Sequence, residues 1–174
     1  ASLEKILSSL GASMHLSWHF SLFDRAEYPV GISLMSDIIR SNALSNPFWI
    51  TELQGGNVTA SGYEVLCPTS EEISQWLWTG IGAGAEGIIF WTLNQRAAVS
   101  EAGEWGLLDF QNGPSDRLAA ASEVAESVYR HSGLMADARP VKSNINILYN
   151  NESLWTQRFN ANIVKDTEND ARGG

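Results

Sequence analysis

Apolar runs rich in β-formers alternate with helical stripes along most of this chain, and that alternation restricts the fold more than any other feature of the sequence. Residues 12–20 alternate, with Met14, Leu16, Trp18 and Phe20 on one side and Ser13, His15, Ser17 and His19 on the other. Phe48–Leu53 and Glu86–Trp91 read as further strands, and Trp105–Phe110 as a shorter one. Helical stripes follow over 33–44, 70–84 and 115–132; Thr69 or Ser70 caps the second, and Pro114-Ser115-Asp116 opens the third. Repeated strand–helix units predict a parallel sheet, because each parallel neighbour needs a crossover. A closed (β/α)8 barrel takes roughly 200–250 residues. The expectation for this α/β chain is therefore half of a TIM barrel, four strands with their helices.

Leu3, Ile6, Leu7 and Leu10 share one helical face, which predicts a short opening helix stopped by Gly11. Asp24–Gly31 reads as a loop punctuated by Tyr28-Pro29. Residues 1–137 are expected to form the partial barrel, 138–143 a linker around Pro140, and 144–174 the start of a following domain, with a strand at Ile145–Tyr149 and a polar tail from Asp166. The opening Ala1 and that tail read as cuts through a longer protein.

Composition narrows the function. The net charge is −9 with only 11 basic residues spread along the chain, which argues against a nucleic-acid partner. No apolar run reaches the ~18–20 residues that span a membrane. The single Cys67 precludes an internal disulfide and a cysteine-based zinc site. His15 and His19 could suggest a metal, but on a strand they lack the helical i, i+4 geometry, so no metal and no cofactor are expected. The glycines at 80, 82, 84 and 87 lead from a helix into a strand, the reverse of a phosphate-binding loop. No targeting signal is visible, and the compartment stays open.

In parallel barrels the site gathers at the C-terminal ends of the strands. That rule selects Trp18 and His19 after the first strand and Glu52 and Gln54 at the end of the second. It also selects Trp91, Asn94, Arg96 and Glu101 after the third, with Trp105 beyond. Two carboxylates at a barrel mouth suit glycoside hydrolysis, with one ionised and one holding a proton. Arg96 is the cation available to keep a nucleophile charged. Trp105, with Trp91 or Trp18, could offer an indole face to a sugar ring. Each also has a plainer reading. Glu52 could be a structural carboxylate, Glu101 a solvated loop residue, Arg96 half of a structural ion pair, and Arg117 a partner of Asp109; Glu104 reads as a loop carboxylate.

The segments Phe48–Gly56 and Gly84–Trp91, followed by Asn94-Gln-Arg96 and Glu101–Gly106, resemble the later half of the family 42 glycoside hydrolases, the β-galactosidase-like barrels. The resemblance covers roughly 10–135 and implies that the four strands are the fifth to eighth. It implies a retaining mechanism on β-glycosides, β-galactosides foremost, with Glu101 as nucleophile. The family's acid/base glutamate follows an asparagine on the fourth strand, so it is expected before Ala1. Glu52 then becomes a substrate-contact or supporting residue, and this chain alone is expected to be inactive. The family's zinc-binding cysteine cluster has no counterpart here. Two other readings remain open: a non-catalytic carbohydrate-binding half-barrel, and catalysis within the chain with Glu52 as acid. A half-barrel exposes edge strands, so self-association is expected.

Overall fold

The structure is a computed structural model that describes residues 5–62, 64–141, 143–148 and 150–164, the last five of these by backbone alone. Two compact units divide the chain, Ala1–Pro140 and Val141–Gly174. The first is built on a three-stranded parallel sheet in the order β1 (Leu10–Met14), β2 (Phe48–Gln54), β3 (Gly87–Trp91). Helix α2 (Tyr28–Ala43) crosses from β1 to β2, and α3 (Ser70–Gly82) crosses from β2 to β3. Helices α4 (Asp116–Arg130) and α5 (Ser132–Asp137) follow. The unit is thus α/β and forms part of a barrel wall.

Helices cover one face of the sheet. Ile50 and Ile88 meet α3 at Gly80, where an added Cβ would lie 2.8 Å from Ile50 Cδ1. Tyr28 and Ile32 of α2 join Phe48, Ile50, Ile73, Trp76 and Leu77 in one buried core. Trp49 and Ile89 are exposed. Strand alternation puts them opposite Ile50 and Ile88, on the face that a closed barrel fills with layers of side chains.

Local chemistry sets the helix ends. Thr69 and Glu72 form a reciprocal capping box, with Glu72 N–H donating to Thr69 Oγ1 and Thr69 N–H to Glu72 Oε2. Glu72 also receives Arg25 Nε at 2.6 Å and Nη2 at 2.7 Å, which ties the 3-10 turn Arg25–Glu27 to the start of α3. Ser115 caps α4 by accepting Leu118 N–H at 3.3 Å.

The structure departs from several expectations. The opening helix is not formed over its described part: Leu3 lies outside the described residues, Ile6 and Leu7 are in a turn and irregular chain, and Leu10 begins β1. An isolated helix of two turns is marginal, whereas Leu10 N–H reaches Pro47 O and the strand ladder continues from there. The strand foreseen over 12–20 ends at Met14. Trp18 and His19 N–H both donate to His15 O, winding Leu16–His19 into a helical turn, α1. Helix α2 starts at Tyr28 rather than after a loop, because Pro29 sits in its first turn, where a missing N–H costs nothing.

Residues 105–110 form no regular strand. Thr92 N–H donates to Trp105 O and Leu107 N–H to Thr92 O, the bond pattern of a parallel pair, but it lasts one residue. A positive φ at Trp105 and a turn at Asp109–Gly113 interrupt it. Asp109 Oδ1 accepts Gln111 and Gly113 N–H in that turn, and Arg117 pairs with Asp116 instead of Asp109.

In the second unit, residues 145–148 carry no strand, Tyr149 lies outside the described residues, and so does the polar tail. A single strand without a neighbour is not stable. Helix α6 (Asn151–Val164) was not foreseen; Asn150 caps it by accepting Ser153 N–H at 2.9 Å. Among the described residues no helix is long and apolar enough to cross a membrane.

The tightest backbone approach lies between the β2 exit and the segment after β3. A Cβ on Gly56 would overlap the backbone of Trp105 and Gly106, whereas one on Gly82 meets nothing within 4 Å. Gly56→Ala is therefore expected to destabilise by about 2 kcal/mol or more. Gly82→Ala is expected to be neutral or to stabilise by up to ~1 kcal/mol. Paired urea denaturation curves check both.

Candidate active site

The sheet delivers its polar residues at one end. A register shift between Ala12 and Ser13 sets Ser13 opposite Glu52. Ser13 Oγ–H donates to Glu52 Oε2 at 2.5 Å, and His15 Nε2 lies 3.2 Å from the same oxygen. No described residue bonds to Glu52 Oε1, and the Glu52 side chain is 42% exposed. The Ser13 hydrogen bond, more than any other influence, holds the Glu52 carboxyl below its ordinary range; partial burial opposes this and His15 adds to it. Glu52 is therefore ionised at neutral pH. Burial lowers the His15 imidazole despite the pull of Glu52, so the ring is neutral there and donates through Nε2–H.

Gln54 is fully buried. Its Oε1 accepts from the N–H and hydroxyl of Ser17, and its Nε2 donates to Gly56 O at 3.0 Å. It braces the chain after both strands and offers no free polar atom of its own. Trp18 is 41% exposed and stacks on His19, with centroids 5.5 Å apart. His19 Nδ1 in turn accepts His15 N–H. Burial lowers the His19 imidazole as well.

After β3 the chain makes a tight excursion. The Trp91–Thr92 peptide is cis, and Val99, Glu101, Gly103 and Trp105 all have positive φ. A positive φ costs a non-glycine residue about 1–3 kcal/mol and persists only where surroundings fix it. Here Gly103 N–H donates to Arg96 O, Trp105 N–H to Asn57 O, and Asn57 Nδ2 to Gly103 O. Arg117 Nε and Nη2 reach Gly55 O and Gly106 O, clasping the two segments from α4.

The excursion carries Glu101, 22% exposed, to a 3.1 Å ion pair with Arg96 Nη1. The Arg96 guanidinium lies 5.1 Å from the Trp91 ring centroid. His15 lies in the field of both Glu52 and Glu101. Asn94, by contrast, is tied to Asn112 and exposed. Trp105 is 1% exposed and packs edge-on against His15 at 4.6 Å. Among the described residues no cluster of His, Cys, Asp or Glu has the arrangement of a metal site.

Glu104 is the third carboxylate of this region, and it faces inward. Its Oε1 accepts Thr59 N–H, Thr59 Oγ1–H and Ala60 N–H at 2.6–2.7 Å. Burial alone would raise its pKa, but bonds from Ser61, Ala60 and Thr59 outweigh burial and hold it at about 2. Ser13, His15, Asn57 and Thr59 were not foreseen as parts of the site. The polar alternation at 13, 15, 17 and 19 was the available signal for the first two, whereas nothing local marks Asn57 or Thr59.

The family profile of glycoside hydrolase family 42, described as beta-galactosidase, matches residues 12–130. Beta-galactosidase Bga of Halorubrum lacusprofundi is 28% identical over 133 residues, 75% of this chain and 18% of that protein. The solved polyextremophilic beta-galactosidase from the same organism superposes with a TM-score of 0.63, at 23% identity, over 75% of this chain and 19% of that one. A GH42 beta-galactosidase from G. stearothermophilus superposes with a TM-score of 0.72, at 19% identity, over 88% of this chain and 22% of that one. The chain thus spans about a fifth of the length of these relatives.

Glu104 gives a pH test. Its folded pKa lies below its unfolded value, so its contribution is complete above pH ~4.5 and is lost as pH falls toward about 2. The shift is equivalent to about 3 kcal/mol. Glu104→Gln is expected to cost on the order of 2–3 kcal/mol at pH 7 and to flatten the fall in stability between pH 4.5 and 2, read from urea midpoints across that range.

Proposed function

The chain belongs to the family 42 glycoside hydrolases, and we propose that it supplies the nucleophile side of a retaining β-galactosidase active site. The observation that carries this reading is the Arg96–Glu101 pair at the C-terminal end of β3, inside the segment that matches the family. Glu101 attacks the anomeric carbon while the aglycone leaves with a proton from an acid. Water then resolves the glycosyl ester, with the same acid acting as base. Arg96 keeps the nucleophile oriented and charged. Trp18, the exposed indole of α1, offers a face to the sugar, and the buried Trp105 packs against His15.

Glu52 is not the acid in this reading. A carboxylate that accepts Ser13 and His15 and stays ionised has no proton to give. Its Oε1, to which no described residue bonds, instead suits a sugar hydroxyl. The acid/base residue is placed on a part of the barrel outside these residues, so the chain alone is inactive. Residues 144–174 are read as the start of a following domain.

In the full-length protein, Glu101→Ala is expected to lower turnover of an activated aryl β-galactoside at least ~10³-fold. Azide or formate is expected to restore it by taking the nucleophile's place; unchanged activity would sink the assignment.

The 174-residue chain by itself leaves β1 and β3 as sheet edges and Trp49 and Ile89 exposed. Self-association through these features is expected in multi-angle light scattering, and a stable monomer at micromolar concentration would refute it.

A further inference from the structure

His15 is only 3% exposed, yet it lies between groups from three separate parts of the chain. Glu52 of β2 takes its Nε2, Trp105 lies 4.6 Å away edge-on, and His19 of α1 lies 5.8 Å away. The titratable groups that act on it are Glu52, His19 and Glu101. Among the described residues, the buried His15 Nδ1 and Trp105 Nε1 are polar atoms without a hydrogen-bond partner. A neutral imidazole that donates through Nε2 carries a bare acceptor at Nδ1, and an indole nitrogen is only a donor. The two orphans are therefore complementary, and they sit on neighbouring rings.

We propose that His15 is a positioning residue that joins the two carboxylate-bearing segments. With its hydrogen on Nε2 it orients Glu52 Oε2, while its Nδ1 accepts the indole N–H of Trp105, at the end of the loop that presents Glu101. Ser13, His15 and Trp105 then form one chain of donors and acceptors ending on Glu52. Only the kinetic arm of the test below rests on the β-galactosidase reading.

The chain has three histidines, so ¹⁵N-histidine labelling gives spectra assignable with His19 and His131 variants. The expected result at pH 7 is a neutral His15 ring with its hydrogen on Nε2. A charged ring or an Nδ1–H tautomer overturns the proposal. Two variants separate the two bonds. His15→Gln retains a donor near Nε2 and is expected to keep the Glu52 carboxyl titration close to wild type while shifting the Trp105 indole N–H resonance. His15→Asn retains an acceptor near Nδ1 and is expected to do the opposite. Identical effects of the two on both probes overturn the proposal, and these readouts hold whether or not any galactoside is cleaved.

In the full-length protein, His15→Leu is expected to lower kcat/KM on the order of 10- to 100-fold. His15→Gln is expected to recover most of that loss. Wild-type kinetics in the leucine variant would overturn a positioning role even with the expected tautomer.

Discussion

One buried carboxylate fixes the geometry on which the rest of this site depends. Glu104 draws Thr59 and Ala60 onto a single oxygen, and Asn57 binds the backbone on both sides of it, at Gly103 and Trp105. The β2 exit and the post-β3 excursion are thereby held as one body, close enough that Gly56 admits no side chain. Positive φ at Glu101 and Trp105 is tolerable only because these bonds fix the chain around it. This carboxylate thus helps to fix the loop that carries Glu101.

Three glutamates within one small region divide the work by environment. Glu104 accepts hydrogen bonds from a turn and is committed to structure. Glu52 accepts a hydroxyl and an imidazole on one oxygen and presents the other. Glu101 meets a guanidinium at the end of a strained loop. Sequence position alone does not separate these roles, because Glu101 and Glu104 lie three residues apart yet bond to different segments. The neutral His15 also matters electrostatically: it donates to Glu52 without placing a fixed positive charge beside Glu101.

The elements legible in the sequence were those with strong local signals. Strands β2 and β3 and helices α3 and α4 follow from β-rich runs, the Thr69–Glu72 box and the Ser115 cap. The failures were tertiary. Residues 3–10 have a helical stripe, but pairing with Phe48 and Trp49 claims Leu10 and Gly11 for the sheet. Residues 12–20 alternate cleanly, yet the chain turns at His15 so that Ser13 meets Glu52 and Ser17 meets Gln54. The sequence placed Glu101, Arg96 and Glu52 after strand ends, and the structure pairs the first two and sets Glu52 against Ser13 and His15. Asn57 and Thr59 could not be foreseen, because their partners lie more than forty residues away.

The same sheet explains why site and fold are completed together. Helices bury one face, whereas Trp49 and Ile89 occupy the face that barrel closure would cover. Burying those two side chains would contribute on the order of 2–4 kcal/mol. The strands that would carry the closure are β1 and β3, the two edges. Ser13 and His15, the partners of Glu52 on the central β2, come from the end of β1, and the Glu101 excursion leaves the end of β3. Any element that covers these edges must therefore bring its own strand ends to the same mouth, beside Glu52 Oε1 and the Arg96–Glu101 pair. On the proposed reading a proton donor supplied there would face Glu101 across the sugar, and the hydrophobic force that closes the wall would also assemble the chemistry.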